Sequence, residues 1–351
     1  MDFLARVKNY FSYITAPNTI QGGVSQVSPK SSVFKPSQKT KPKANEISYS
    51  RDISDSQIAS NSARSKYITV TKNPDYKLKN GDNISKIAKR FGVEERALMA
   101  LNGLTKQTAS KLKTGQVLKI PPTKKIKNVK NLNDIALSMG LSLDFIKRLK
   151  RVEDGNIGDN KFHNTPYRDK GGVLTIGIGH MVKAGEPQKL SDPQVCELCA
   201  KDLLKMEDNL VSLLGQKNYD KLPQSMKEAL LDMVFNKGTA IIENTEGLLY
   251  CLKAGKYEAA INKFTYIKNY KGKEMSGLAK RRLFDISVAV KMYNGKIPQT
   301  NINTAQNLYN KGVALLRIEC KQEGLNFGAQ LEGFNKDVKR YLGNRIKLAT
   351  K

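Results

Sequence analysis

The stretch Tyr167-Arg168-Asp169-Lys170-Gly171-Gly172-Val173-Leu174-Thr175-Ile176-Gly177-Ile178-Gly179-His180 reads as a hairpin. Paired glycines favour a tight turn, and a Val, Leu, Thr, Ile run favours a short strand. Asp169 stands at the mouth of the turn and Thr175 on the strand six positions later (175 − 169). His180, one of only two histidines, closes the segment. Upstream, an apolar helical stripe runs into Glu153-Asp154-Gly155, where glycine marks a helix end.

Two carboxylates flanking a hairpin form the pairing that glycosidic bond cleavage uses: one donates a proton, and the other holds or activates a nucleophile. The segment resembles the phage-type lysozymes. In that family a helix ends in Glu-Gly, and a hairpin then carries Tyr-x-Asp, a glycine turn and Thr-Ile-Gly-x-Gly-His. Asp169 and Thr175 keep that spacing here. Ala229-Leu230-Leu231-Asp232-Met233-Val234-Phe235-Asn236-Lys237-Gly238 is similar to the family's central helix, and Gly277-Leu278-Ala279-Lys280-Arg281-Arg282 to its later helix start. Residues 143–295 carry the resemblance. It implies hydrolysis of the β-1,4 bond between N-acetylmuramate and N-acetylglucosamine. Glu153 would protonate the leaving oxygen, Asp169 would stabilise the sugar cation and orient a water, and Thr175 would be that water's second anchor, with inversion at the anomeric carbon.

The chain departs from the family in one place. Glu153 and Asp169 are 16 positions apart (169 − 153), more than the family's usual gap, and the extra residues fall in the polar loop 156–166. Loops absorb insertions cheaply. The departure leaves two candidate proton donors. Glu153 is preferred, since its longer side chain suits a helix end and an apolar pocket would raise its pKa. Asp154 reads as solvated, and His163 in the loop as exposed. Simpler structural readings stand beside these roles: Asp caps turns, Thr is an ordinary strand residue, and His180 pairs with an acid.

Residues 74–122 read as a β-α-α-β unit. A strand at Tyr76-Lys77-Leu78-Lys79 leads to helices from Ile84 to Phe91 and from about Glu94 to Leu101, with a closing strand in Lys113–Pro121. The unit resembles the lysin motif (LysM), which binds glycans containing N-acetylglucosamine. The match rests on Gly81-Asp82-Asn83-Ile84, Phe91-Gly92, Leu101-Asn102-Gly103-Leu104 and Gly115-Gln116-Val117-Leu118-Lys119-Ile120-Pro121. It implies sugar contacts from Gly81, Asp82, Asn83, Ile84, Gly103 and Leu104. A partial copy follows 48 positions later (140 − 92): Asn131 to Leu141 echoes Asn83 to Val93 and then runs into Glu153 without a closing strand. We read residues 123–142 as a rigid connector whose second helix doubles as the first catalytic helix.

The expected fold class is therefore α+β. A mostly α lysozyme-like domain with a small hairpin sheet (143–295) follows the connector (123–142) and the βααβ module (74–122). A Ser, Lys, Pro-rich stretch, 16–70, is too poor in large apolar residues to order itself and is expected to be a disordered linker. Residues 1–15 carry Phe3, Leu4, Val7, Phe11 and Ile14 on one helical face, consistent with a surface-docking helix or a frayed terminus. They lack the continuous apolar run of a secretory signal. Residues 296–351 are expected to be a helical extension, with Phe327, Leu331, Phe334, Val338 and Tyr341 on a packing stripe. Other helical patterns cover 191–215, 224–237, 256–268 and 278–294.

The 351 residues carry 60 Lys+Arg against 32 Asp+Glu, a net charge of +28. Such a charge favours polyanions, including anionic cell-wall polymers, but no specific nucleic-acid motif accompanies it. No run of 18 apolar residues exists to span a membrane. Cys196, Cys199, Cys251 and Cys320 offer no second pair at zinc spacing, so buried thiols and no cofactor or metal are expected. The leading reading is a modular peptidoglycan hydrolase acting on bacterial glycan strands. The alternative is a non-catalytic peptidoglycan-binding protein with an inactive lysozyme fold, a reading favoured only by the inserted loop. A chitin-cleaving or transglycosylase relative is a third, and Asp169 with Thr175 argues for water as acceptor.

Overall fold

A computed structural model describes residues 63–349 apart from 156, 159, 170, 171 and 270, all within one compact unit, Arg51–Lys351. The helix expected over residues 1–15 and most of the expected linker lie outside the described residues.

Two separate hydrophobic cores account for the two modules. The smaller is built from Leu78, Ile84, Ile87, Ala88, Leu98, Leu118 and Ile120. Around it lie β2 (Tyr76–Lys77), α1 (Ile84–Phe91), α2 (Glu95–Leu101), a short α3 (Lys106–Ala109) and β3 (Val117–Leu118), with β2 and β3 antiparallel. Asn83 caps α1 by accepting from the Lys86 backbone N–H (2.9 Å), and Gly92 ends it at φ 63°. The short α3 was not anticipated from sequence; Thr105 and Thr108 nucleate it through a reciprocal capping box.

The β1 strand (Ile68–Thr71) pairs antiparallel with β4 (Thr123–Ile126), bracketing the small module. This corrects one expectation. The linker does not extend to residue 70, because Ile68 is buried in the larger core; the connector 123–142 opens with the strand β4. Tyr67 and Arg64 anchor the segment further, the first donating to Asp134 Oδ1 (3.0 Å) and the second pairing with Glu207.

The partial repeat keeps its local chemistry. In α4 (Leu132–Met139), Asn131 caps the start and Gly140 ends it at φ 62°, as Asn83 and Gly92 do for α1. Ile135 is fully buried, like Ile87 at the same offset of 48 (135 − 87). Its burial, however, is in the larger core, where α4 packs on the long helix α6 (Asp192–Leu214). α5 (Leu143–Glu153) follows after three residues, capped by Ser142 and buried through Phe145, Ile146 and Leu149.

A three-stranded antiparallel sheet follows: β5 (Tyr167–Arg168), β6 (Leu174–Ile176) and β7 (His180–Met181). After α6 come α7 (Gln216–Asp220), α8 (Gln224–Lys237), α9 (Ala240–Glu243), α10 (Leu248–Lys253) and α11 (Tyr257–Ile261). The helix expected over 256–268 therefore stops at Ile261, because Phe264 and Ile267 are buried in a non-helical segment that bridges Lys268 to Glu274. The central helix α12 (Ser276–Ala289) packs on α8 and on the antiparallel pair α13 (Gln299–Glu323) and α14 (Phe327–Leu342). Within the expected stripe, Phe334 and Val338 are buried. Gly312 is a contact point: a Cβ there would lie 2.8 Å from the Phe334 ring and 3.2 Å from Ala279 Cβ. The extension thus braces the back of α12. Among the described residues no helix is long and apolar enough to cross a membrane.

Candidate active site

Glu153 sits at the last position of α5, with its side chain 17 % exposed. The hairpin comes to it through Gly179. A Cβ at that residue would lie 2.9 Å from Glu153 Oε2, 3.1 Å from Glu153 Cβ and 3.0 Å from the Phe235 ring. The glycine, at φ 75°, is what lets the strand backbone press against the carboxyl group. Gly177, two residues earlier, lets the hairpin approach α6 instead, since a Cβ there would meet Val195 Cγ1 at 2.9 Å.

Arg281 Nη2 donates to Glu153 Oε1 (2.7 Å). The same guanidinium grips Asp232 in a fork, Nε to Oδ2 (2.6 Å) and Nη2 to Oδ1 (2.8 Å). Burial raises the Glu153 pKa, and this outweighs the opposing Arg281 charge; Asp232 and Asp169 push the same way as burial. Arg281 goes the other way, held firmly protonated by the two carboxylates despite its own burial. Neither Asp232 nor Arg281 was assigned a role from sequence. Their pairing spans 49 positions and the Glu153 contact 128, so the only sequence signal was that both lie in the two family-like helices.

Asp169 occupies the turn mouth. Its Oδ1 accepts from the Val173 N–H (2.8 Å), and its own N–H donates to the Val173 carbonyl (2.9 Å). It therefore caps the turn while remaining exposed and within electrostatic reach of Glu153. Thr175 is buried and donates to the Val173 carbonyl (3.2 Å). It pairs across the ladder with Tyr167, so the two share one sheet face. The Tyr167 hydroxyl donates to the Glu153 carbonyl (3.3 Å), so that face is turned toward the end of α5.

Two sequence expectations are corrected beside the site. Asp154 is not solvated: it is buried and bound by the fully buried Lys150 Nζ (2.5 Å), which also donates to the Gly158 carbonyl (2.7 Å). The inserted loop is what encloses this pair, since Phe162 lies under Lys150 Nζ at 5.0 Å. His163 is half-buried rather than exposed. Its ring stacks on Tyr167 (centroids 3.9 Å), and its carbonyl accepts from Gly177 N–H (2.8 Å). Asn164 ties the loop to Leu190 and Asp192. The insertion is thus fastened to the hairpin at several points.

His180 is a structural staple. Nδ1 meets Asp202 Oδ2 (2.8 Å) and Nε2 meets Glu186 Oε2 (3.1 Å), and the bond to Asp202 leads the causes that raise its pKa. The four cysteines are free and buried, and burial pushes Cys196 up to about 12.

In the smaller module the expected sugar-contact residues also serve as turn and cap groups. Asp82 accepts from the Tyr76 hydroxyl (2.7 Å) and the Lys79 N–H (2.8 Å), while Ile84 is core. The Gly81 carbonyl accepts from Lys86 Nζ (2.8 Å). Gly103 holds φ 62° in the turn before the half-buried Leu104. This module meets the larger one through polar contacts: Arg96 forks onto Glu243 (2.9 Å twice), and Lys205 reaches Glu94 (3.3 Å).

Residues 160–284 match the Phage lysozyme family model and residues 76–121 the LysM domain model. The first match begins seven residues after Glu153 (160 − 153) and includes Asp169, Thr175, Asp232 and Arg281. Similar solved structures include the active form of the P1 phage endolysin, at 16% identity and TM-score 0.38, covering 47% of this chain and 96% of that one. A P22 lysozyme mutant is 28% identical with TM-score 0.31, covering 40% and 92%. The muramidase domain of SpmX from Asticaccaulis excentricus is 19% identical with TM-score 0.34, covering 43% and 97%. No curated protein matches the chain. The two family models thus match separate stretches of the chain, one over the larger module and one over the smaller.

Proposed function

We propose that this chain hydrolyses the β-1,4 bond between N-acetylmuramate and N-acetylglucosamine in bacterial peptidoglycan, with Glu153 as the general acid. The observation that carries the reading is the Glu153 environment: a carboxyl at the wet edge of a buried cluster, its pKa raised by burial. A raised pKa keeps a donor loaded near neutral pH. Arg281 occupies Oε1, leaving Oε2 for the proton. As the glycosidic bond breaks, Asp169 stabilises the positive charge on the sugar and, with Thr175, orients the water that attacks the opposite face. The product anomer is then inverted. Asp154 is set aside as donor because its carboxylate is already neutralised by Lys150 in a buried pair.

The LysM module is proposed to hold N-acetylglucosamine-containing strands through the loops at Gly81, Asp82, Asn83 and Ile84 and at Gly103 and Leu104. It raises the local concentration of substrate. The +28 charge adds affinity for anionic wall polymers.

The test is digestion of purified peptidoglycan by wild type, Glu153→Gln and Asp169→Asn, with products read by mass spectrometry and the new anomer by NMR. Wild type is expected to release new reducing muramic ends, and both variants to lose at least about 100-fold in rate. Absence of such ends with wild type would leave only the glycan-binding reading. Full activity in Glu153→Gln would move the donor to another group.

A further inference from the structure

Glu153, Arg281 and Asp232 form a single chain of ionisable groups running from a partly exposed carboxyl into dry core. Side-chain exposure falls from 17 % at Glu153 to 7 % at Arg281 and 0 % at Asp232. A buried guanidinium 2.7 Å from a carboxyl group ordinarily holds it ionised, and an ionised carboxylate cannot donate a proton. Burial of Glu153 opposes that pull first, and the two-point grip of Asp232 adds to it, because it fixes the guanidinium plane and engages its charge elsewhere.

We propose that Asp232 is a positioning residue: it holds Arg281 by two hydrogen bonds and offsets its charge, so that Glu153 keeps a transferable proton while its oxygen is still oriented. The proposal rests on Glu153 being the acid. The groups facing Glu153 are Arg281 from α12, Asp232 from α8, Asp169 and Tyr167 from the hairpin, and Cys199 from α6. Behind Arg281 lie Arg282 and Asp285, a buried pair at 2.8 Å, and Lys237, whose pKa is lowered by burial and by the two arginines. Among these, only Asp232 makes a two-point contact with Arg281 and also raises the Glu153 pKa.

The sign follows directly. Asp232→Asn keeps the shape but removes the negative charge, so Arg281 acts on Glu153 without compensation. Glu153 then ionises at lower pH, and the donor form is lost earlier as pH rises. The experiment measures kcat/KM against pH on soluble peptidoglycan fragments, beside a carbon-13 NMR titration of the Glu153 carboxyl, assigned with Glu153→Gln. In Asp232→Asn both titrations should move to lower pH, with a drop of about tenfold or more on the alkaline side and recovery on the acid side. Arg281→Gln, which removes the cation, should move the NMR titration to higher pH and supplies the test if the Asp232 variant does not fold. A uniform loss of rate at every pH, with both titrations unmoved, would overturn the proposal, as would an unmoved titration in Arg281→Gln. An NMR shift in the expected direction without a matching shift in the rate profile would support the placement of Asp232 and refute Glu153 as the acid.

Discussion

Replacing Gly179 by alanine tests the site through a single methyl group. The residue holds φ +75°, and a Cβ would fall 2.9 Å from Glu153 Oε2, 3.1 Å from Glu153 Cβ and 3.0 Å from Phe235 Cε1. The backbone strain of a left-handed alanine is about 1–2 kcal/mol. Crowding of this kind adds about 1–3 kcal/mol, because Glu153 is anchored on α5 and the Phe235 ring closes the other side. The carboxyl end is the part able to yield, and a displacement of ~1 Å from productive geometry costs about 100-fold in rate. Gly255→Ala is the control. It carries φ +69° but its Cβ would meet nothing within 4 Å, so it reports strain alone. Thermal denaturation should show Gly179→Ala less stable than Gly255→Ala by roughly the 1–3 kcal/mol crowding term. Initial rates on peptidoglycan should fall about 100-fold in the first and stay near wild type in the second. Equal rates in the two variants would refute the close packing of Gly179 on the donor as a catalytic requirement.

Three further outcomes are expected. The His180 imidazolium is held by Asp202 and Glu186 with a raised pKa, so its stabilisation is complete below the ordinary value of 6.5 and is lost as pH rises through the folded value. Melting temperature should therefore fall across that window in wild type, and His180→Gln should flatten the fall; an unchanged slope would contradict the staple. Removing one partner of the buried Lys150–Asp154 pair, as in Asp154→Asn, should cost about 3–5 kcal/mol in denaturant unfolding, because Lys150 is left as an unpaired charge. Folded Asp154→Asn should keep its rate, and a loss matching Glu153→Gln would reassign the donor. Ile87→Ala should cost about 2–5 kcal/mol within the small core alone, lowering binding to insoluble peptidoglycan while sparing cleavage of soluble fragments.

Much of the architecture is local and therefore legible in the chain. Asn83 and Asn131 announce helix starts, Gly92 and Gly140 announce helix ends, and the glycine turn announces the hairpin, because caps and turns are satisfied within a few residues. The β1–β4 ladder was not legible, since its partners lie 58 positions apart at Ile68 and Ile126 (126 − 68) and each strand is short. The same limit applied at the active site. Glu153, Asp169 and Thr175 could be named from motif and spacing, but the state of the two adjacent acids could not.

Glu153 and Asp154 are neighbours in sequence and differ in environment for reasons found far along the chain. Asp154 is buried and paired because Lys150 and the inserted loop close over it, with Gly158 and Phe162 supplying the lid. Glu153 keeps its raised pKa because α5, the hairpin, α8 and α12 enclose it together. The sequence by itself determined the two modules, the caps and turns that build them, and the candidate residues for the chemistry. Only the tertiary structure decided that Asp154 is paired with Lys150 while burial raises the pKa of Glu153, because desolvation and the nearest charges depend on what the fold brings within a few ångströms.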